Sequence, residues 1–269
     1  RGSLILPMVG YGSRFQTEGY HLPKPLIPVS GKPMAIQALM DLPQAQEKRF
    51  VMRENMSGIV QLQDQIKKNT PKAKFITLNH MTDGQATTCI EGAAGLNPDE
   101  PVTIAACDNG MIYDSDLFES LMKSNDVDVI VWSMRGYPGA IRTPNMYGWI
   151  DEDETGNIIS ISVKTPLENP DNDPIVIGCF TFKKFSDFKN SVQRMKDRGA
   201  KINNEYYVDT AINDAVELGL RCVTFEIDHY ICWGTPNDLR TFEYWQTCFD
   251  GWKSHPYQKK KDRNIFNIL

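Results

Sequence analysis

Short apolar runs alternate with longer amphipathic stretches through the first half of the chain. Apolar runs of strand length begin at Leu4 and recur at Arg49–Met52, Lys74–Leu78, Val102–Cys107 and Val127–Ser133. Between them, helices are predicted over Pro33–Leu42, Met56–Lys68, Thr87–Ala94 and Leu117–Ser124. This order predicts parallel strands joined by helical crossovers, that is, a Rossmann-like, doubly wound α/β sheet.

The pattern changes after about residue 147. Three consecutive runs are typical of strands: Tyr147–Asp151, Ile158–Lys164 and Ile175–Phe182. Turn residues separate them, which predicts a small β-meander layer on the substrate side of a mixed sheet. A helix, a strand and a final helix are then expected over Val208–Leu218, Arg221–Glu226 and Asp238–Phe249.

The chain shows no internal repeat and no low-complexity linker, so residues 4–250 are predicted to form a single domain. Residues 251–269, which contain the basic run 259–261, are expected to be a flexible, solvated C-terminal tail. Residues 1–3 are expected to be an expression remnant outside the fold, because a native chain normally starts with Met.

Composition narrows the range of partners. The net charge is -5 and 23% of the residues are charged, which is ordinary for a soluble protein and indicates neither a nucleic-acid nor a membrane partner. No apolar run approaches the roughly 20 residues that cross a bilayer. The six cysteines are scattered without a CxxC pair, as expected of reduced thiols. A cytoplasmic protein is therefore predicted, and a homo-oligomer stays open.

The first apolar run ends in a glycine-containing loop, Gly10-Tyr11-Gly12-Ser13-Arg14. The loop lacks the third glycine of a dinucleotide-binding fingerprint and the GK[ST] ending of a P-loop, so a phosphate loop and an ordinary turn are equally compatible with it. Arg14 and Lys24 favour phosphate, because guanidinium and ammonium groups bind phosphate oxygens. The prolines on both sides of Lys24 restrict its backbone and argue against a mere surface charge.

Asp108 directly follows the apolar run Val102–Cys107 and opens the sequence Asp-Asn-Gly. In a parallel sheet it would lie at the same edge as the glycine loop, since ligands bind beyond the carboxyl ends of the strands. A carboxylate there can hold Mg²⁺ bound to nucleotide phosphates. An Asx turn is the competing interpretation.

The segment GYGSRF…PKPLIPVSGKPM closely resembles the signature of the sugar-phosphate nucleotidylyltransferases. The resemblance continues through DGQA after the third strand, CDN after the fourth, and then YGWI, ISVK, GCF and WGTPNDL, in the family's order. Within this family, the chain resembles the glucose-1-phosphate thymidylyltransferases and the bacterial capsule or lipopolysaccharide cytidylyltransferases. The resemblance implies a Rossmann-like fold, Mg²⁺, and two substrates, a nucleoside triphosphate and a phosphorylated acceptor.

The resemblance also implies roles for the residues that would bind the triphosphate. Backbone amides of Gly10, Tyr11, Gly12 and Ser13 would cradle it. Arg14 would clamp the leaving pyrophosphate, Lys24 would neutralise charge on the α-phosphoryl group, and Asp108 would hold Mg²⁺.

A second set of matching residues would bind the base and the acceptor. Asn79 and Gly84, with Gln85 beside them, occupy positions that touch the base. Gly148 would pack against the acceptor, and Lys164 would grip the acceptor phosphate.

Two departures from the family pattern affect these expectations. A Glu that contacts the sugar in the thymidylyltransferases is matched by Ser162. The second metal-binding Asp is matched by Cys232, and Asp228, on the same face of that strand, is a candidate substitute.

The acceptor and the base remain open at this point. Tyr147, Trp149 and Trp233 could line an acceptor pocket that takes a quaternary amine such as phosphocholine, or they could be core residues. A sugar phosphate used for surface polysaccharide is the first expectation. CTP is the first guess for the nucleotide, followed by UTP or dTTP. A non-catalytic nucleotide-binding regulatory module is the alternative of another class.

Overall fold

The structure is a computed structural model that describes residues 2–264. The strands are β1 (Ser3–Met8), β2 (Pro28–Val29), β3 (Lys32–Pro33), β4 (Glu47–Arg53), β5 (Lys74–Leu78), β6 (Val102–Ala105), β7 (Asn109–Ile112), β8 (Val129–Met134), β9 (Gly148–Glu152), β10 (Ile158–Val163), β11 (Ile175–Phe182), β12 (Cys222–Glu226) and β13 (His229–Cys232). The helices are α1 (Ser13–Thr17), α2 (Met34–Asp41), α3 (Ile59–Asn69), α4 (Gln85–Gly92), α5 (Ser115–Lys123), α6 (Pro138–Arg142), α7 (Phe185–Asp197), α8 (Val208–Glu217), α9 (Pro236–Gly251) and α10 (Lys259–Asn264). Short 3₁₀ turns cover Lys24–Leu26 and Pro144–Met146.

A nine-stranded mixed sheet runs through the molecule in the order β10-β9-β11-β6-β1-β4-β5, with β8 and β12 joined to it beside β11. The strands β6, β1, β4 and β5 are parallel to one another, and β11 runs antiparallel to both β6 and β8. The start of β11 therefore lies at the same edge of the sheet as the carboxyl ends of β1 and β6. The predicted mixed, doubly wound sheet is confirmed.

Helices cover both faces of the sheet because alternate residues of the central strands point to opposite sides. Along β1, Ile5 packs in a cluster with residues of α4, α7 and α8. Its neighbours Leu4 and Leu6 pack on the other face with residues of α2, α3 and α5. Strands β1 and β6 are buried on both faces, which explains why they form continuous apolar runs, whereas the edge strand β5 is partly exposed.

The three strands of the predicted meander are formed, but they extend the central sheet instead of forming a layer of their own. Strands β9 and β10 make an antiparallel hairpin at one edge. Strand β11 lies inside the sheet, between β6 and β8. Helix α7, which the sequence analysis missed, then packs on the sheet through Phe188, Val192 and Met195.

The ends of the chain differ from expectation. Gly2 and Ser3 belong to the fold, because β1 starts at Ser3 and the Ser3 amide donates to Pro101 O at 2.9 Å. Part of the expected tail is also ordered: Gln246 Nε2 donates to Tyr257 Oη at 2.9 Å, and the Tyr257 hydroxyl donates to Asp262 in α10. Residues 1 and 265–269 lie outside the described residues.

Among residues 2–264, no helix is long and apolar enough to cross a membrane.

Candidate active site

Two neighbouring cavities open where the carboxyl ends of β1 and β6 meet the start of β11. The glycine-loop cavity, of about 300 Å³, is lined by Gly10, Gly12, Thr82, Gly84, Gln85, Thr88 and Glu205, among others. The tyrosine cavity, of about 420 Å³, is lined among others by Arg14, Arg142, Tyr147, Gly148, Asp209 and Tyr230. Both include Lys24, Ala106 and Asp108 in their walls. A ligand in one cavity would thus meet a ligand in the other at Lys24 and Asp108.

Lys24 is held firmly at this junction. Its ammonium donates to Asp108 Oδ2 at 2.5 Å and to the carbonyl oxygen of Gly234 at 3.1 Å. Burial alone would lower the pKa of Lys24, but the Asp108 carboxylate outweighs burial and the pKa is raised above its usual value. Lys24 is therefore a fixed positive charge at neutral pH.

The glycine loop lies close to Lys24 because Gly12 has no side chain. A Cβ at Gly12, where φ is 64°, would be 3.0 Å from Lys24 Cβ. Gly10 and Gly12 line the glycine-loop cavity, and Ser13 begins α1. The Tyr11 side chain points away to solvent, with the Arg53 guanidinium 4.0 Å from its ring centroid.

Arg14 lines the tyrosine cavity and is exposed. It is not among the residues that line the glycine-loop cavity, where a residue that clamps the pyrophosphate of a bound triphosphate was expected.

Another part of the glycine-loop cavity wall is formed by Gly84 and Gln85, where α4 begins. Gly84 packs so tightly on the next chain segment that a Cβ would lie 2.4 Å from the Tyr206 amide nitrogen. Gln85 lines the cavity beside it. Asn79 does not: its side chain meets the His80 ring at 3.1 Å, outside the cavity wall, and the expected role in base contact is not supported.

Tyr147 and Gly148 line the tyrosine cavity as expected, but the two tryptophans do not. Trp149 is fully buried and donates its Nε1 hydrogen to Pro144 O at 2.9 Å. Trp233 is buried in a cluster with Phe15 and Leu239. Both are core residues, which was the alternative interpretation of these tryptophans, so their assignment to the acceptor pocket is wrong.

Cys232 lies at the centre of the polar side of the tyrosine cavity. The Gly234 amide donates to its sulfur at 3.3 Å, and Asp238 Oδ2 is 3.7 Å from it. The aromatic rings of Tyr137 and Tyr230 are in edge contact, with centroids 5.0 Å apart, and the hydroxyl of Tyr230 lies close to the sulfur. Burial raises the pKa of Cys232 to about 12, so the group is a neutral thiol.

A family model of nucleotidyl transferases matches residues 4–224 of the chain. The chain belongs to the nucleotidyl transferase family. The expectation drawn from the sequence resemblance is confirmed at this level, and the protein is a nucleotidyltransferase enzyme. No curated protein matches the chain by sequence.

Solved structures of low sequence identity share the fold of this nucleotidyltransferase. The nucleoside-diphosphate-sugar pyrophosphorylase from Vibrio cholerae RC9 has a TM-score of 0.74 at 18% identity, over 89% of this chain and 98% of that chain. A UDP-glucose pyrophosphorylase solved with UDP-glucose has a TM-score of 0.70 at 18% identity, over 91% and 99% of the two chains. The inositol-1-phosphate CTP transferase from T. maritima has a TM-score of 0.69 at 13% identity, over 93% and 96%.

Asp108 is the residue of the nucleotidyltransferase that fits a metal ion. It faces both cavities, and one carboxylate together with substrate phosphates is a common arrangement for Mg²⁺. Across residues 2–264 there is no group of three or more His, Cys, Asp or Glu residues that could bind a metal by themselves. The residues thus fit an ion that arrives with the nucleotide.

Asp228 cannot assist Asp108, and the expectation that it would is wrong. In the β7–β13 pair, Cys232 lies opposite Asn109, next to Asp108, whereas His229 lies opposite Ile112. Asp228 directly precedes His229, at the end of this strand pair that is farther from Asp108, and its amide donates to Ile112 O at 2.9 Å. Asp228 is four residue steps along the chain from Cys232, a distance of about 13 Å in an extended strand.

Lys164 lies behind the wall of the tyrosine cavity. Its backbone has a φ of 60°, and its amide donates to Tyr147 O at 2.9 Å. The ammonium lies 5.2 Å from the ring centroid of Tyr207. The positive charge of Lys164 acts to lower the pKa of the Asp209 carboxyl, against the larger effect of burial.

Asp209 is a site residue that the sequence analysis missed. It lines the tyrosine cavity, and a Cβ at Gly148 would lie 2.4 Å from its Oδ2, so Gly148 leaves the room that the carboxylate occupies. Burial raises the pKa of Asp209 to about 6, although Lys164 opposes the shift. Its sequence signal is weak, because an Asp in the first turn of a helix is common for helix stability alone.

Asp209→Asn should stabilise the protein at neutral pH. Because the pKa rises from 3.8 to about 6 on folding, the folded state holds this proton more tightly than the unfolded state. The wild type therefore loses stability as pH rises from about 4 to 6, and the loss is complete above that range. At about 1.4 kcal/mol per pKa unit, the variant should be up to about 3 kcal/mol more stable at pH 7.5 and nearly equal at pH 4.

Urea unfolding at pH 4.0, 5.0 and 7.5 measures this difference, with the exposed Asp99→Asn as the matched control. A gain of the same size at pH 4.0 and 7.5 would show that packing, and not the carboxylate charge, causes it.

Proposed function

We propose that this nucleotidyltransferase transfers CMP from CTP to a phosphorylated small molecule and releases pyrophosphate. The observation that carries the proposal is that the two cavities meet at Lys24 and Asp108. CTP would occupy the glycine-loop cavity, with its phosphates toward Lys24. The acceptor would occupy the tyrosine cavity, with its phosphate toward the same point.

The reaction is an in-line displacement at the α-phosphorus. An oxygen of the acceptor phosphate forms the new P–O bond, the bond from the α-phosphorus to the bridging oxygen breaks, and pyrophosphate leaves with the electron pair. Because the attacking oxygen is already anionic, no general base is needed. Lys24 stabilises the negative charge that spreads over the α-phosphoryl oxygens, and the walls of the two cavities hold the reacting groups in line.

Asp108, together with substrate phosphates, would hold Mg²⁺. When bound, the ion supplies neutralisation of phosphate charge and a fixed orientation of the triphosphate. The Lys24 ammonium lies within 2.5 Å of the same carboxylate, so lysine and metal would share Asp108.

A sugar phosphate for surface polysaccharide is the acceptor that we propose first. The tyrosine cavity offers a mixture of hydrogen-bonding groups, including Asn237, Thr143 and the Asp209 carboxylate, that suits a polyhydroxylated ring. Arg14 and Arg142 lie in the same wall and can bind phosphate.

A phosphorylated amine such as phosphocholine is the second candidate. It is favoured by the aromatic wall of Tyr147 and Tyr230 together with the carboxylates of Asp209 and Asp238 in the same cavity. The two candidates differ in what Asp209 would bind, a hydroxyl group or a cationic nitrogen.

Pyrophosphate release measured with CTP, UTP, dTTP and ATP, each with glucose 1-phosphate, inositol 1-phosphate and phosphocholine, tests the proposal. We expect release only when CTP and one acceptor are both present. Tight nucleotide binding without release from any pair would instead favour a non-catalytic regulatory module.

A further inference from the structure

The wall of the glycine-loop cavity contains a carboxylate with no assigned role, that of Glu205. With its phosphates at Lys24 and Asp108, a nucleotide would place its nucleoside along the rest of the cavity, whose wall includes Gly84 and Gln85. Glu205 lines the same cavity and adjoins Tyr206, which packs on Gly84. A role for Glu205 rests on the proposed function, because it requires that a nucleotide binds in the glycine-loop cavity.

A rigid turn holds Glu205 in this position. Ile202 and Glu205 exchange two backbone hydrogen bonds of 3.0 Å across the turn. The two residues between them, Asn203 and Asn204, have φ values of 50° and 64°, which asparagine tolerates better than most residues. The turn thus leaves Glu205 little backbone freedom.

The next residue fastens this turn to the loop before α4. The Tyr206 amide donates to Asp83 O at 2.8 Å, and the Ala86 amide donates to Tyr206 O at 3.0 Å. Gly84 permits this close approach. Glu205 and Gln85 are therefore carried by two segments that are joined by backbone hydrogen bonds, and their separation is fixed before any ligand binds.

Other polar side chains near Gly84 are already occupied. The hydroxyls of Thr82 and Thr88 both donate to Gly84 O, at 3.2 and 3.1 Å. Glu205 forms no ion pair with any residue among 2–264. Its carboxylate accepts a hydrogen bond from the Tyr207 hydroxyl. Because a carboxylate can accept several hydrogen bonds, Glu205 can still accept one from a base, and Gln85 lies in the same cavity wall.

We infer that Glu205 is a specificity residue that accepts a hydrogen bond from the exocyclic amino group of the base, and so selects cytosine over uracil and thymine. An ionised carboxylate can only accept, and cytosine presents an amino donor where uracil and thymine present a carbonyl oxygen. With uracil or thymine, the carbonyl oxygen of the base would face the Glu205 carboxylate, and neither group could donate a hydrogen bond. Gln85, which can donate, would meet a ring acceptor of cytosine.

Glu205→Gln tests this inference, because a glutamine amide can also donate to the carbonyl of uracil. Binding of CTP, dCTP, UTP and ATP is measured by calorimetry without acceptor, and kcat/KM for CTP and UTP by pyrophosphate release. The exposed Glu154→Gln is the matched control. We expect the wild type to prefer CTP over UTP by at least about 10-fold and the variant to lose at least about 10-fold of that preference, mostly by binding UTP better.

Several outcomes would overturn the inference. One is a wild type that binds UTP as well as CTP; another is an equal loss of all nucleotides in Glu205→Gln, which indicates a structural role. A change confined to the ratio of CTP to dCTP would assign Glu205 to the ribose and also overturn it. Selective CTP binding that depends on Glu205, with no turnover, would sustain the inference and contradict the proposed enzymatic reaction, so the two failures can be told apart.

Discussion

Replacing Lys24 by alanine is expected to lower the turnover number at least about 10²-fold, the scale for removing one charged partner of a transition state. The lysine lies at the junction of the two cavities, with its ammonium fixed by Asp108 and Gly234 O. In the proposed displacement the α-phosphoryl group passes through that junction. Because the charge is already positioned, its stabilising effect requires no rearrangement during the reaction.

Single-turnover and steady-state pyrophosphate release measure this loss, and circular dichroism checks the fold of the variant. The exposed Lys123 on α5, converted to alanine in the same way, is the matched control. The KM for CTP should change much less than kcat, since the lysine is proposed to act on charge that develops in the transition state. Normal turnover by a folded Lys24→Ala protein would contradict the assignment of the junction as the reaction centre.

Much of the fold follows from local sequence pattern. The parallel strands β1 and β6 are buried on both faces, so their residues form apolar runs that are easy to locate. Helix α7 was missed because its apolar residues, Phe185, Phe188, Val192 and Met195, are diluted by charged and polar neighbours. The position of β11 inside the sheet depends on pairing with residues about 40 to 80 positions earlier, which no local pattern encodes.

Some residues of the candidate site could likewise be predicted from the local sequence pattern, and others could not. The glycine loop and Asp108 could be predicted to share one edge of the sheet, because each directly follows the carboxyl end of a parallel strand. The ion pair of Lys24 with Asp108 was not predicted, because Lys24 lies 16 residues after the end of β1. Trp149 was assigned to the acceptor from residue type alone, whereas its burial depends on the packing of β9 against Ile175. Glu205 comes from the segment before α8 and Asp209 from the first turn of α8. This part of the chain reaches the site only through tertiary contacts with Gly84 and Gly148.

Gly84→Ala is expected to destabilise the protein by about 3 kcal/mol or more and to weaken nucleotide binding. Gly84 has φ 135° and ψ 172°, a backbone region that is essentially restricted to glycine. An added Cβ would also lie 2.4 Å from the Tyr206 amide nitrogen and 2.5 Å from its carbonyl oxygen. Neither backbone atom can move without breaking the hydrogen bonds that join Tyr206 to Asp83 and Ala86.

Thermal unfolding should show this cost as a decrease in Tm of roughly 6–12 °C for a chain of this size. Gly95→Ala is the matched control, because Gly95 also has a positive φ, 77°, but nothing lies within 4 Å of an added Cβ. That control should lose only about 1 kcal/mol, the cost of the left-handed backbone alone. The excess loss at Gly84 then measures the close approach of the two segments. If both variants lost the same amount, the junction between the loop before α4 and Tyr206 would not be tightly packed, and the fixed separation of Glu205 and Gln85 would lose its support.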